Sequence, residues 1–222
     1  MLYLNIIDSE LELIPTELFD DFAIRKLAKT KNKNVEDMIL DSNFMHRSIE
    51  KKFPGMANRM GRPDIFHHLL NVTQDSILNL KGQLRVRIHT KNDEIIDINP
   101  VTRVPRSYNR FVGIMEKLLS KGVVESNTGE VLMELKKGAW KTLIRNDCPN
   151  VLLSPRGEMG RLDTSLNHEN INVFIGGFSE GDFRSNPYDE MKSMKIYDDE
   201  LTIWTIAWEV IGTVERLTEL IH

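Results

Sequence analysis

NVFIGGFSEGDF, residues 172 to 183, sets a short β-branched and aromatic run, Val173, Phe174 and Ile175, against Gly176 and Gly177, with a third glycine at Gly181. An apolar run of that length, ended by glycines, predicts a fully buried strand. Glycines at the end of a buried strand let a ligand come close to the backbone. The spacing is not G-x-G-x-x-G. Gly176 and Gly181 have the separation of a P-loop, but Asp182-Phe183 stand where Lys and Ser/Thr belong. An acidic loop repels phosphate. It suits a ligand held by main-chain groups and free of phosphate, such as an adenosyl compound with a sulfonium charge. A tight turn after a core strand accounts for the same residues.

Outward from this stretch the chain alternates short strands and helices. Residues 2 to 7 predict a first buried strand. Residues 16 to 29 predict an amphipathic helix with Leu18, Phe19, Phe22, Ile24 and Leu27 inward. Residues 38 to 40 are a second short apolar run, with Asp41 and Ser42 as caps for a helix through Lys52. This spacing points to βαβ units, hence an α/β fold with a mainly parallel sheet. Residues 83 to 90 and 94 to 98 alternate, with Leu84, Val86 and Ile88 on one face and Arg85, Arg87 and His89 on the other. They predict a β-hairpin that interrupts the alternation, expected as an insertion at about 82–100 in a single domain spanning 1–222. A second, smaller hairpin is expected around Asn127-Thr128-Gly129, then a short helix with Trp140, Leu143 and Ile144 inward. Residues 150 to 153 read as another buried strand, ended by Ser154-Pro155, with Gly157 and Gly160 making a mobile loop after it. The last helix is expected from Leu201, capped by Asp198, Asp199 and Glu200. Ile203, Ala207, Val210, Val214 and Leu217 form one apolar stripe on it, and Trp204, Trp208 and Ile211 another. A helix apolar on two sides needs two coverings, and a second subunit is the economical one.

Composition sets bounds on function. With 41% hydrophobic and 28% charged residues the chain is an ordinary globular protein. Cys148 is the only cysteine, which leaves no disulfide framework or cysteine-based zinc site and fits a reducing cytosol. Cys148 has no evident base partner and reads as inert. No apolar run approaches the ~18 residues of a membrane span, and no signal peptide is evident, so a cytoplasmic protein is expected.

The net charge of −4 is unevenly placed. Residues 1–22 hold six acids and no Lys or Arg, whereas 46–68 hold five bases and two acids and 101–117 four bases and one acid. An acidic body with two basic segments suits a localised RNA footprint. Solvated charged faces are the plain alternative. In GRPDIFHHLL, Pro63 suits a first helical position and Asp64 the first turn. Arg62 before them opposes the helix dipole unless Asp64 or a bound anion compensates. His67 and His68 point about 100° apart on a helix and cannot form an i, i+4 metal pair, so they read as packing or solvent residues and no metal is expected. In NPVTRVPRSYNRFVGIMEKLL, Pro100 and Pro105 delay a helix that Ser107 or Asn109 can cap. Arg103, Arg106 and Arg110 then gather at a helix N-terminus, which suggests an external anion, phosphate being the obvious one. Tyr108 lies among them, placed to stack on a base.

GRPDIFHHLL, RVPRSYNRFVGIMEKLL, LLSP and VFIGGFSEGDF, in this order, resemble the pseudouridine N1-methyltransferase family of ribosome biogenesis, a SPOUT-class branch of the S-adenosylmethionine (SAM) enzymes. The resemblance covers nearly the whole chain, and the compact N-terminus is similar to the archaeal branch. It implies an α/β fold with a C-terminal trefoil knot, a homodimer, and methyl transfer from SAM to the N1 nitrogen of a pseudouridine in small-subunit rRNA. By motif match it implies a cofactor site at Gly176, Gly181 and the segment Ile196, Tyr197, Asp198, Asp199, Glu200 and Leu201. It implies RNA binding by Arg62, Arg103, Arg106 and Arg110, with Asp64 orienting Arg62 and standing as a candidate to take the N1 proton. Ribosomal proteins of the small subunit are possible partners. An RNA-binding assembly factor for which methylation is incidental remains the alternative.

Overall fold

The computed structural model describes residues 1–221. Eight strands form one sheet: β1 (Leu2–Ser9), β2 (Leu84–Thr90), β3 (Glu94–Ile98), β4 (Val123–Glu125), β5 (Val131–Lys137), β6 (Asn150–Met159), β7 (Ile171–Gly176) and β8 (Ser193–Lys195), in the order β4-β5-β3-β2-β1-β7-β6-β8. From β2 through β1, β7 and β6 to β8 every pairing is parallel, and from β2 to β4 every pairing is antiparallel. The β2–β3 hairpin lies in the plane of the sheet: β2 is bonded to β1 in register from Leu2 opposite Leu84 to Ile6 opposite Ile88.

Among the described residues seven α-helices accompany the sheet: α1 (Phe22–Lys31), α2 (Ser42–Lys52), α3 (Pro63–Gln74), α4 (Ile77–Leu80), α5 (Tyr108–Lys121), α6 (Leu162–Ser165) and α7 (Ile203–Leu217). One face of the sheet, with Leu4, Ile6, Val86 and Val173, packs under Phe66, Leu70, Phe111, Met115, Ala207 and Val210 from α3, α5 and α7. The other face is smaller, with Phe174 and Leu152 meeting Trp140 and Leu143. Each such buried side chain contributes about 1.5–3 kcal/mol, which is why the alternating and continuous apolar runs become strands here. Asn5 and Asn172 are fully buried, and their amide groups are partly satisfied: Asn5 donates to Asn172 Oδ1 at 2.6 Å and Asn172 donates to Leu143 O at 2.9 Å, while Asn5 Oδ1 has no partner among the described residues.

Four expectations change. Residues 16 to 29 divide into a 3-10 turn, Thr16–Leu18, and α1, because Asp21 accepts from the N–H groups of Ala23 and Ile24 and starts a new helix there. Phe22 is consequently turned outward and exposed. The run 38 to 40 makes only a single antiparallel bridge, Leu13 to Ile39. Thr202, whose hydroxyl accepts from Thr205 N–H, caps α7, and Asp198, Asp199 and Glu200 lie before it in an exposed segment. Finally, β6 runs on past Pro155 to Met159. Leu153 and Glu158 both register with Met194, so the strand bends around β8 with a bulge at its waist. Gly157 sits at the closest approach, where any Cβ would overlap the Met194 backbone. The same glycine that reads as loop mobility is a packing requirement. Among the described residues no helix is long and apolar enough to cross a membrane.

Candidate functional site

The glycine loop leaves β7 at Gly176 and folds over the end of β1. Its main chain is fixed to β1 twice: Gly177 N–H donates to Ile7 O at 2.8 Å, and Gly177 O accepts from Glu10 N–H at 2.9 Å. None of the three glycines has its missing side chain opposite empty space. A Cβ on Gly176 would lie 2.6 Å from the Phe178 ring, one on Gly177 would lie 2.8 Å from Ser9 Cα, and one on Gly181 would meet Arg59 Nη1 at 2.5 Å. Gly181 also has φ +78, a conformation that favours glycine. The three glycines therefore admit close packing of the loop on the protein itself.

Two crevices adjoin this loop. One is lined by Gly176, Phe178, Gly181, Asp182, Glu200 and Leu201 together with Leu153, Ser154 and Pro155 of β6. The other, sharing Leu153, Ser154, Pro155, Leu201 and Ile206 with it, runs along Ile196, Tyr197 and Asp199. Seven of the eight residues expected on the cofactor side thus line one continuous depression beside the end of β7. Asp198 is exposed, bonded to Lys195 Nζ at 3.2 Å, and lines neither crevice. Leu153, Pro155, Phe178 and Ile206 supply apolar walls that periodicity did not single out, although LLSP and the glycine stretch contain three of them. The acids of the loop are occupied: Asp182 accepts from Tyr188 Oη at 2.5 Å and pairs with Arg156 Nη1 at 2.7 Å.

Beneath the loop lies a buried ion pair. Glu10 is 1% exposed and its Oε1 is 2.8 Å from Arg59 Nε. The two atoms approach closely but out of line for a hydrogen bond, so charge, not bond alignment, carries the attraction. Burial pushes the Glu10 carboxyl up to about 7, against the pull of Arg59, the Ser179 N–H, Arg184 and Arg62. Neither residue stood out in the sequence, since one lies in an acid-rich terminus and the other in a basic segment.

The arginine side divides into two kinds. Arg62, at the N-cap of α3, forms a two-pronged pair with Asp64, Nε to Oδ1 at 3.0 Å and Nη2 to Oδ2 at 2.9 Å. The pair raises the Arg62 pKa further, and both Asp64 oxygens face the guanidinium. Arg103, Arg106 and Arg110 are exposed around the start of α5. Arg106 has a loose contact with Asp75 at 3.8 Å, and among the described residues Arg103 and Arg110 have no ion-pair partner. His67 ties the two helix starts together by its Nε2 contact to Pro105 O at 2.8 Å and packs on Phe111 at 4.9 Å. Tyr108 is half-buried against His67, and its hydroxyl donates to Asp41 Oδ2 at 2.5 Å. Burial and that bond push the Tyr108 hydroxyl far up. It is thus a strut between α2 and α5 in place of the stacking surface expected. Ser107 holds the N-cap position of α5 without a side-chain bond, which leaves that helix end uncapped by the chain. No group of three or more His, Cys, Asp or Glu among the described residues is placed to hold a metal.

A family model described as EMG1/NEP1 methyltransferase matches residues 5–215. The chain is 45% identical to the ribosomal RNA small subunit methyltransferase Nep1 of Thermoplasma volcanium, with all of both chains covered. It is 47% identical to the same-named protein of Thermoplasma acidophilum over 99% of this chain and 100% of that one. The structure of Archaeoglobus fulgidus Nep1 bound to S-adenosylhomocysteine superposes with a TM-score of 0.87 at 30% identity, over 97% of this chain and 98% of that one.

Proposed function

Since the chain belongs to the EMG1/NEP1 methyltransferase family, we propose that it methylates the N1 nitrogen of a pseudouridine in small-subunit rRNA with SAM as methyl donor. It is a SAM-dependent methyltransferase of small-subunit rRNA. The observation that carries the finer reading is that the glycine loop beside the apolar crevice is bonded through Glu10 to the start of α3, which His67 ties to the start of α5 and its exposed arginines.

The crevice fits the cofactor by its donor set: apolar walls for an adenosyl group, main-chain groups of the loop, and the carboxylates of Asp199 and Glu200 at the rim for a sulfonium. Gly176, Gly181, Ile196, Tyr197, Asp199, Glu200 and Leu201 are the residues assigned to it, with Asp198 in the same segment. When bound, SAM supplies an electrophilic methyl on a positive sulfur. The chain's part is mostly positioning, because an in-line approach at about 3 Å converts a bimolecular step into a unimolecular one. The target base leaves its stack to reach the crevice. Arg103, Arg106 and Arg110 take RNA phosphates at the uncapped start of α5. Arg62, aimed by Asp64, faces the base and favours its anionic form once the N1 proton is lost. Asp64 acts through Arg62, since both its oxygens are occupied.

A homodimer is supported by α7, whose Trp208 is 62% exposed while Val210 and Ile211 are buried beneath it. A groove of about 680 Å³ along Thr205, Glu209, Thr213 and Leu217 lies on the same helix. The bend of β6 around Met194 supports a knotted C-terminal segment. An rRNA substrate supports a reading of cytoplasmic action beside ribosomal proteins of the small subunit. The reading is tested by incubating the protein with labelled SAM and two RNA hairpins that differ only in pseudouridine or uridine at one site. Label in the pseudouridine hairpin alone is expected. Equal label in both removes the base specificity, and RNA binding without label leaves an assembly factor.

A further inference from the structure

We propose that Arg59 is a positioning residue that sets the shape of the cofactor-side loop, residues 178–182, with the buried Glu10 as its anchor; this rests on the cofactor site proposed above. One guanidinium meets four of the five loop positions. Its plane lies over the Phe178 ring with the central carbon 4.5 Å from the centroid. Nη1 donates to Glu180 O, and Nη2 donates to Asp182 O at 3.2 Å. Gly181 presents to Nη1 the side where a Cβ would be, so the absence of a side chain there admits the guanidinium. The fifth position, Ser179, is taken by the anchor: its N–H donates to Glu10 Oε2 at 3.3 Å, while its hydroxyl donates to Asn58 O beside Arg59. A residue so placed touches the loop from below, while the crevice opens on the loop residues themselves.

Charge and geometry both select arginine. The site asks for donors in several directions in one plane, stacked on an aromatic ring, with an acid behind. Lysine keeps the charge and loses the fork. Glu10 also joins the loop to the RNA side, since its N–H donates to Gly177 O at 2.9 Å and its O accepts from Arg62 N–H at 2.8 Å. The loop and the start of α3 therefore hang on one residue.

The test compares wild type, Arg59→Lys and, as a control at an exposed arginine of α2, Arg47→Ala by amide hydrogen exchange without ligand and by calorimetry with S-adenosylhomocysteine. In Arg59→Lys the amides of residues 179–183 are expected to exchange at least tenfold faster, with those of β1 and β7 unchanged and ligand affinity lower by tenfold or more. Arg47→Ala is expected to match wild type in both measurements. Wild-type loop exchange in Arg59→Lys overturns the proposal, as does faster exchange spread through β1 and β7, which marks general destabilisation. Faster loop exchange with unchanged affinity also overturns it, because the loop shape then does not govern the cofactor. A wild-type protein that takes up no ligand refutes the cofactor site itself, and loop exchange alone then decides the clamp.

Discussion

Arg59 and Arg106 lie in the two basic segments of an acidic protein, yet they are in opposite states. Arg59 has a side chain 14% exposed, an aromatic ring beneath it and a buried carboxylate 2.8 Å away. Arg106 has a side chain 91% exposed and one carboxylate at 3.8 Å. A count of positive charge treats them alike. Burial separates them, because a desolvated guanidinium must be satisfied by the protein and a solvated one is available to a phosphate. Arg62 stands between: its side chain is 24% exposed and its carboxylate partner follows two residues later.

The sharpest way to break this contrast is to remove each member in turn. Arg59→Ala leaves Glu10 buried beside a lost partner, and urea unfolding at pH 8 is expected to show a loss of about 3–4 kcal/mol. The double change Arg59→Ala with Glu10→Gln should recover part of it, and additive losses would mean that the two residues do not act as a pair.

Slightly smaller is the pH effect on the same pair. The folded state holds the Glu10 proton up to about 7, whereas the unfolded chain releases it near 4.5. Between these values the folded state binds more protons, so stability is greatest below the lower value and declines as pH rises through the upper one. At about 1.4 kcal/mol per pH unit the decline is on the order of 3 kcal/mol, and Glu10→Gln should remove it. A wild-type pH profile of unfolding parallel to that of Glu10→Gln would show that Arg59 keeps the carboxylate charged throughout.

Asp64→Gly is expected to cost roughly 1–2 kcal/mol, since it removes the carboxylate from the first turn of α3 and the two-pronged bond to Arg62. Its effect on RNA affinity should match that of Arg62→Ala, and a double change no worse than either single one would establish that Asp64 works through Arg62. The smallest effect on stability belongs to Arg103→Ala, Arg106→Ala and Arg110→Ala, each within about 0.5 kcal/mol of wild type in thermal unfolding. Each should nevertheless lower the slope of log affinity against log salt by about one unit in titration with an rRNA hairpin. An unaltered slope would make them a solvated face.

What the sequence disclosed was local. β1, β7, α3, α5 and the β2–β3 hairpin follow from periodicities within ten or fifteen residues, and the Arg62–Asp64 pair from two residues of separation. The course of β6 beyond Pro155 was hidden because Pro and Gly normally end a strand, and only the partner at Met194 shows why this one continues. Thr202 was overlooked as the cap of α7 because three acids precede it, and the cap geometry belongs to a single hydroxyl. Glu10 and Arg59 gave no signal at all, for their relation is one of burial. At the glycines the sequence hides a second demand, since the atoms nearest the missing side chains at Gly176, Gly177 and Gly181 are the protein's own.

The place of β7 in the sheet also governs the order in which the molecule is made. β1 is translated well before β7, its partner on one side, with Leu2 opposite Ile171 and Ile6 opposite Ile175. β2 arrives early enough to shelter the other side. Through most of synthesis one flank of a strand that ends up almost wholly buried stays open in the nascent chain, and the contacts that close it are among the most distant in sequence that the chain makes. The crevice beside β7 is likewise lined from Leu153 to Ile206, so it cannot take shape before the residues that follow β7 have been translated.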